Sequence, residues 1–104
     1  MIDIVRSRAG VPIRLTDERW EHIVAEHDDL VDRRADVLMA VGQADRVVMG
    51  REGELLALWA VEKPKTLVVA YRERSPSDGF VITAFLTSRP VRYESRQIVW
   101  PAQQ

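Results

Sequence analysis

Four apolar runs between Asp45 and Ser88 constrain the fold most: "DRVVMG", "ELLALWAVE", "TLVVAYRER" and "GFVITAFLTS". Each is short and rich in β-branched, aromatic or leucine side chains. Between them stand "REGE", "KPK" and "SPSDG", sequences made for turns. Strands this closely spaced predict antiparallel pairing of successive neighbours across short loops. The second run is apolar on both parities, with Leu55, Ala57, Trp59 and Val61 on one side and Leu56, Leu58 and Ala60 on the other. A sheet containing it needs cover on both faces.

Helical signals precede these strands. "IDIVRS" reads as an opening strand broken by Gly10 and Pro12, and "VPIRL" leads into Thr16, a good N-cap. Asp17 and Glu18 then suit the first turn of a helix. Trp20, Ile23, Val24 and His27 follow at i, i+3, i+4 and i+7, one face of a helix ending near His27. "HDDLVD" is a short break. A second helix, "LVDRRADVLMAVGQA", turns Leu30, Val37, Leu38 and Val41 inward and stops at Gly42. "VRYESRQIVW" adds a final edge strand closed by Pro101. The expected architecture is one α+β domain over residues 1–104. In it, two N-terminal helices pack on one face of a four- to five-stranded antiparallel sheet. The second face falls to the N-terminal segment, the C-terminal strand or a second copy of the chain, so a homodimer is one expectation.

Composition narrows the chemistry. The chain has no cysteine, which excludes disulfides, thiolate zinc sites and a cysteine nucleophile. Runs such as "LLALWAV" are too short to cross a bilayer, and "MIDIVRSRAG" lacks the apolar core of an export signal. A cytoplasmic protein with no membrane partner is expected. The net charge of −1 argues against a strongly basic, non-specific nucleic-acid binder. Yet 13 of the 15 basic residues are arginine, the side chain best shaped for phosphate, and only Lys63 and Lys65 are lysine. Biased codon usage explains that ratio at least as well.

The only histidines, His22 and His27, lie in the first helix. Helical metal motifs place histidines at i and i+4. A separation of five puts these two roughly 140° apart around the axis, at about 100° per residue. With no third histidine and no cysteine, neither a metal nor another cofactor is expected. His27 extends the apolar stripe and His22 flanks it. Either imidazole could face a cleft as an acid or base. From spacing alone, a structural histidine bonded to a backbone carbonyl is the stronger reading.

Polar groups on the late strands add to this. Alternation puts Arg72 and Arg74 on the face of Val68 and Ala70, with Tyr71 opposite, and groups Thr83 with Val81 and Phe85. A hydroxyl in an apolar strand is either satisfied by backbone or aimed at a ligand. Histidine, arginine, tyrosine and threonine together would suit RNA cleavage without a metal. That reaction needs a base for the 2′-hydroxyl, an acid for the leaving 5′-oxygen and cations for the phosphorane charge.

The order of these pieces resembles the small phage- and plasmid-associated proteins of the barnase–EndoU–colicin–RelE-like superfamily, and above all its phage-type branch. The resemblance is carried by Trp20, His22, Ile23 and His27; by Val47 or Val48 with Gly50; by Tyr71 and Arg72; and by Ile82, Thr83 and Ala84. It spans residues 13 to 88, with Asp28 where the family pattern often has proline. The resemblance implies a RelE/barnase-like fold and a metal-independent endoribonuclease, such as a toxin of a toxin–antitoxin or phage-associated conflict system. It implies His22 and His27 as base and acid, and Arg72 and Thr83 at the scissile phosphate. Tyr71, Arg74, Lys63 and Lys65 would be further substrate contacts. The implied partners are RNA, free or on the ribosome, and an antitoxin protein. The competing expectation is a non-catalytic module of the same fold, an immunity or phage accessory protein that binds through the sheet. A nuclease would place His22 or His27 within a few ångströms of Arg72 and Thr83 in one open cleft, whereas a binding module would bury the histidines separately and expose an apolar patch instead.

Overall fold

The chain opens with a hairpin. In the computed structural model, which describes residues 1–102, β1 (Ile2–Arg6) pairs antiparallel with β2 (Pro12–Thr16). The connection closes on hydrogen bonds from Ser7 N to Val11 O and from Gly10 N to Ser7 O. Gly10 adopts φ +86°, a conformation that a side chain would strain. β2 buries Ile13 and Leu15 on one face and leaves Arg14 on the other, the alternation of a half-covered strand.

The last residue of β2 caps the first helix. Thr16 Oγ1 accepts a hydrogen bond from Arg19 N at 3.0 Å, and Asp17 and Glu18 occupy the first turn of α1 (Asp17–Glu26). Ile23 is its fully buried anchor, with Trp20 packed at the core margin. A 3-10 turn (Asp28–Leu30) buries Leu30 and leads to α2 (Arg34–Gln43), which presses Val37, Ala40 and Val41 onto the sheet. Leu30 therefore belongs to the connection, and Leu38 is only half-buried. Gly42 does not stop α2. It lies inside the helix, where an added Cβ would stand 2.9 Å from Val5 Cγ2 on β1. Its role is close approach of helix to strand.

The remaining strands are β3 (Arg46–Met49), β4 (Leu55–Glu62), β5 (Lys65–Ser75), β6 (Asp78–Thr87) and β7 (Ile98–Trp100). All seven form one sheet in the order β1-β2-β6-β5-β4-β3-β7. The expectation of four to five antiparallel strands under two N-terminal helices is overturned: the sheet is mixed, and the helices follow a hairpin. The reason is that β2 joins β6 in parallel, through Ile13 opposite Gly79 and Arg14 opposite Phe80. That contact joins strands more than 60 residues apart in the chain, so no local pattern announces it. The pairing with β6 ends at Arg14, and after Thr16 the chain turns into α1, which continues along the flank of β6. There Arg19 Nη1 donates to Ile82 O at 3.4 Å.

The two sheet faces are covered differently. α1 and α2 lie over the larger core, which includes Ile13, Leu15, Leu67, Val69, Tyr71, Val81 and Ala84. The second face has a smaller cluster of Val48, Leu56, Leu58, Val68 and Ala70, with Tyr93 and Ile98 of the C-terminal segment packed against it. The segment over the second face comes from a 3-10 turn (Pro90–Tyr93) and β7, which pairs with β3. Over β6 and β2 the second face stays half-exposed at Arg14, Phe80, Thr83 and Phe85. Among the described residues, no helix is long and apolar enough to cross a membrane.

Candidate functional site

A β-bulge sets the chemistry of the second face. β5 and β6 pair in register from Thr66 opposite Thr87 up to Ala70 opposite Thr83, then resume with Tyr71 opposite Val81. Ile82 is the extra residue. It stands with Thr83 against Ala70, so both belong to the second face while Val81 stays in the core. Strict alternation would put Val81 and Thr83 together; the bulge separates them. Along β6 the second face therefore reads Phe80, Thr83 with Ile82, then Phe85.

His27 reaches this face from its edge. It is the C-cap of α1, with its backbone N–H bonded to Ile23 O, and its half-buried ring lies 6.1 Å from that of Phe85 at a tilt of 36°. The helix places it there because Ile23, four residues earlier, is fixed in the core. His22 goes elsewhere. It is two-thirds exposed on the solvent side of α1, with Nε2 3.4 Å from Glu26 Oε1. The two histidines do not converge.

Arg72 lies on the same face, opposite Phe80, and its Nη2 donates to Glu52 O at 3.1 Å in the β3–β4 turn. With Arg74 it lines a hollow of about 350 Å³ beside Gly53. Gly53 itself takes φ +83°, and a Cβ there would approach Arg72 Nη1. From the rung of Phe85 and Val68 to that of Arg72 is four residues of β5, about 13 Å at roughly 3.3 Å each. Thr83 lies between them. His27, Thr83 and Arg72 thus share one face in a line, with His27 and Arg72 at its ends.

The other expected contacts lie apart from this line. Tyr71 points into the helix-covered core, 1% exposed, lining a small cavity with Arg8, Glu73 and Trp100. Burial, and secondarily the charge of Glu73, push its phenol well above the usual tyrosine range, so it stays protonated. Arg74 is exposed, with Nη1 3.8 Å from Asp78 Oδ2. Lys63 and Lys65 are exposed at the β4–β5 turn, with Lys65 seven residues from Arg72, about 23 Å along the strand. Among the described residues no group of three or more histidine, cysteine, aspartate or glutamate side chains is placed to hold a metal ion.

Two residues of this face escaped the sequence reading. Phe80 stands opposite Arg72 on one side and opposite Arg14 on the other, giving an arginine–aromatic–arginine row across three strands. Arg14 was legible in part, because "PIRLT" alternates and puts it opposite Ile13 and Leu15. Its nearness to Phe80 depends on the parallel β2–β6 pair and had no local signal. Arg14 is held in place by Asp78 Oδ1, 3.1 Å from its Nε and 3.0 Å from its Nη2. No family model, curated protein or solved structure matches the chain.

Proposed function

We propose that the chain is a metal-independent endoribonuclease-like domain whose RNA lies along the half-exposed face over β6. The observation that carries this reading is the alignment of His27, Thr83 and Arg72 on that one face. The scissile phosphate would sit over Thr83, about 7 Å along the strands from the Phe85 rung that His27 borders and from the Arg72 rung, so the RNA would have to draw both side chains toward it. His27 takes the proton of the 2′-hydroxyl, whose oxygen attacks phosphorus while the bond to the 5′-oxygen breaks. The products are a 2′,3′-cyclic phosphate and a 5′-hydroxyl, the latter taking up a proton from His27 or solvent. Thr83 donates to a phosphate oxygen, and Arg72, released from Glu52 O, offsets the charge that builds on the phosphorane. A toxin of a toxin–antitoxin or phage-associated conflict system is the setting this activity suits, with the RNA free or on the ribosome.

One observation favours a second reading. His27 borders the Phe85 rung and Arg72 stands about 13 Å further along the strands rather than in one cleft with it, a spread that suits a non-catalytic module binding a partner through the sheet. Incubation of total RNA with the protein in EDTA, with and without translating ribosomes, separates the two. Fragments ending in 2′,3′-cyclic phosphate support the nuclease. Intact RNA under both conditions would leave the binding module.

A further inference from the structure

We infer that the substrate of this face is a single-stranded RNA, one of whose bases stacks on Phe80 while flanking phosphates engage Arg14 and Arg72. The inference rests on the proposal that the face over β6 is where RNA binds, and it adds a recognition site to that reading. Neighbouring strands lie about 4.8 Å apart, so the side chains of Arg14, Phe80 and Arg72 stand side by side across β2, β6 and β5. The ring of Phe80 is half-exposed, in contrast to Tyr71 and Val81, which point to the opposite face. A flanked, solvent-facing aromatic ring in a sheet is a platform for an unpaired base, because every base has a π-face to lay on it. Bases inside a duplex are already stacked and cannot occupy it.

Charge fits the same occupant. Arg14 and Arg72 flank the ring, and Arg74 shares a hollow with Arg72; the carboxylates near them are Asp78, paired with Arg14 and Arg74, and Glu73, which lines the same hollow. The forked contact of Arg14 with Asp78 Oδ1 leaves its other N–H groups for a phosphate. On a chain of net charge −1, such a cluster is local and suits a short stretch of backbone better than a long polyanion.

The test uses a labelled 12-nucleotide RNA with 2′-O-methyl groups throughout, which cannot be cleaved by 2′-hydroxyl attack, so binding is read whether or not the protein is a nuclease. Dissociation constants are measured against salt for the wild type and for Phe80→Leu, Phe80→Trp and Arg14→Gln, each checked for folding by circular dichroism. Phe80→Leu keeps apolar bulk but loses the ring, and should weaken binding by roughly 5- to 150-fold. Phe80→Trp should bind at least as well as the wild type. Arg14→Gln should lower the slope of log affinity against log salt by about 0.7, the share of one single-strand phosphate. The same sequence as a duplex should bind more weakly and show no dependence on Phe80. Equal binding by wild type and Phe80→Leu, preference for the duplex, or no binding of the strand by the wild type would each overturn the inference. Binding through Phe80 without cleavage of ordinary RNA would uphold it while refuting the nuclease reading.

Discussion

Substituting Gly42 by alanine sets two effects of opposite sign against each other. Alanine in place of glycine favours a helix by up to about 1 kcal/mol. The new Cβ, however, would lie 2.9 Å from Val5 Cγ2 and 3.5 Å from Arg6 O. Valine is stiff at χ1 and its strand is paired along its length with β2, so the contact is not relieved by a swinging side chain. Overpacking of this kind costs about 1–3 kcal/mol. The difference leaves Gly42→Ala destabilised by about 1 kcal/mol, which lowers Tm by roughly 4–8 °C in a domain of this size. Urea denaturation of a double-mutant cycle isolates the contact. In a Val5→Ala background Cγ2 is gone, and the same Gly42→Ala change should stabilise by up to about 1 kcal/mol. If Gly42→Ala stabilises the wild type as much as it stabilises Val5→Ala, α2 does not seat against β1, and the placement of the hairpin is refuted.

Other substitutions follow from the packing. Ile23→Ala removes the buried anchor of α1 and should cost about 2–5 kcal/mol in urea unfolding, against near-neutral effects for His22→Ala. Ser7 Oγ is buried, donates to Glu73 Oε2 at 2.6 Å and accepts from Val11 N at 3.2 Å. Ser7→Ala should therefore lose about 1.5–3 kcal/mol, and a neutral result would remove that bond from the account. The carboxyl of Asp17 is held below the usual carboxylate range by hydrogen bonds from the N-terminal ammonium and then from Arg34. A lowered folded pKa means its stabilisation is present above the unfolded value near 3.8 and is lost as pH falls through the folded one. The stability gap between wild type and Asp17→Asn should be open at pH 7 and close in acid below about pH 4; a gap that persists in acid would contradict the pairing.

What the sequence revealed of this fold depended on how local each signal was. The Thr16 cap, the stripe of Trp20, Ile23 and His27, and the four strand runs from Arg46 to Thr87 are written within a few residues and form near where their patterns say, whereas "VRYESRQIVW" gives a 3-10 turn ending at Tyr93 and a strand only at Ile98–Trp100. The join of β2 to β6 is set by burial of Ile13 against Gly79, where a Cβ would fall 2.5 Å from Ile13 Cδ1. Nothing near either residue in the chain announces that. Gly42 has the composition of a helix stop but the role of a contact, because β1 lies beneath it. The same logic applies to the candidate site. Alternation put Arg72 opposite in sense to Tyr71, as the structure has it, but could not foresee the bulge at Ile82 that moves Thr83 away from Val81. Helical spacing already put His27 on the stripe that meets the sheet and His22 beside it, but that the ring meets Phe85 on the second face had no local signal.

That distinction is also the sharpest test. Initial rates of RNA cleavage in EDTA should be compared for wild type, His22→Ala and His27→Ala, using free RNA and translating ribosomes. His27→Ala should lose roughly 10²- to 10⁴-fold, the usual contribution of a positioned acid or base, while His22→Ala keeps the wild-type rate. Loss on substituting His22 with His27 dispensable, or equal rates for all three proteins, would contradict the role given to His27.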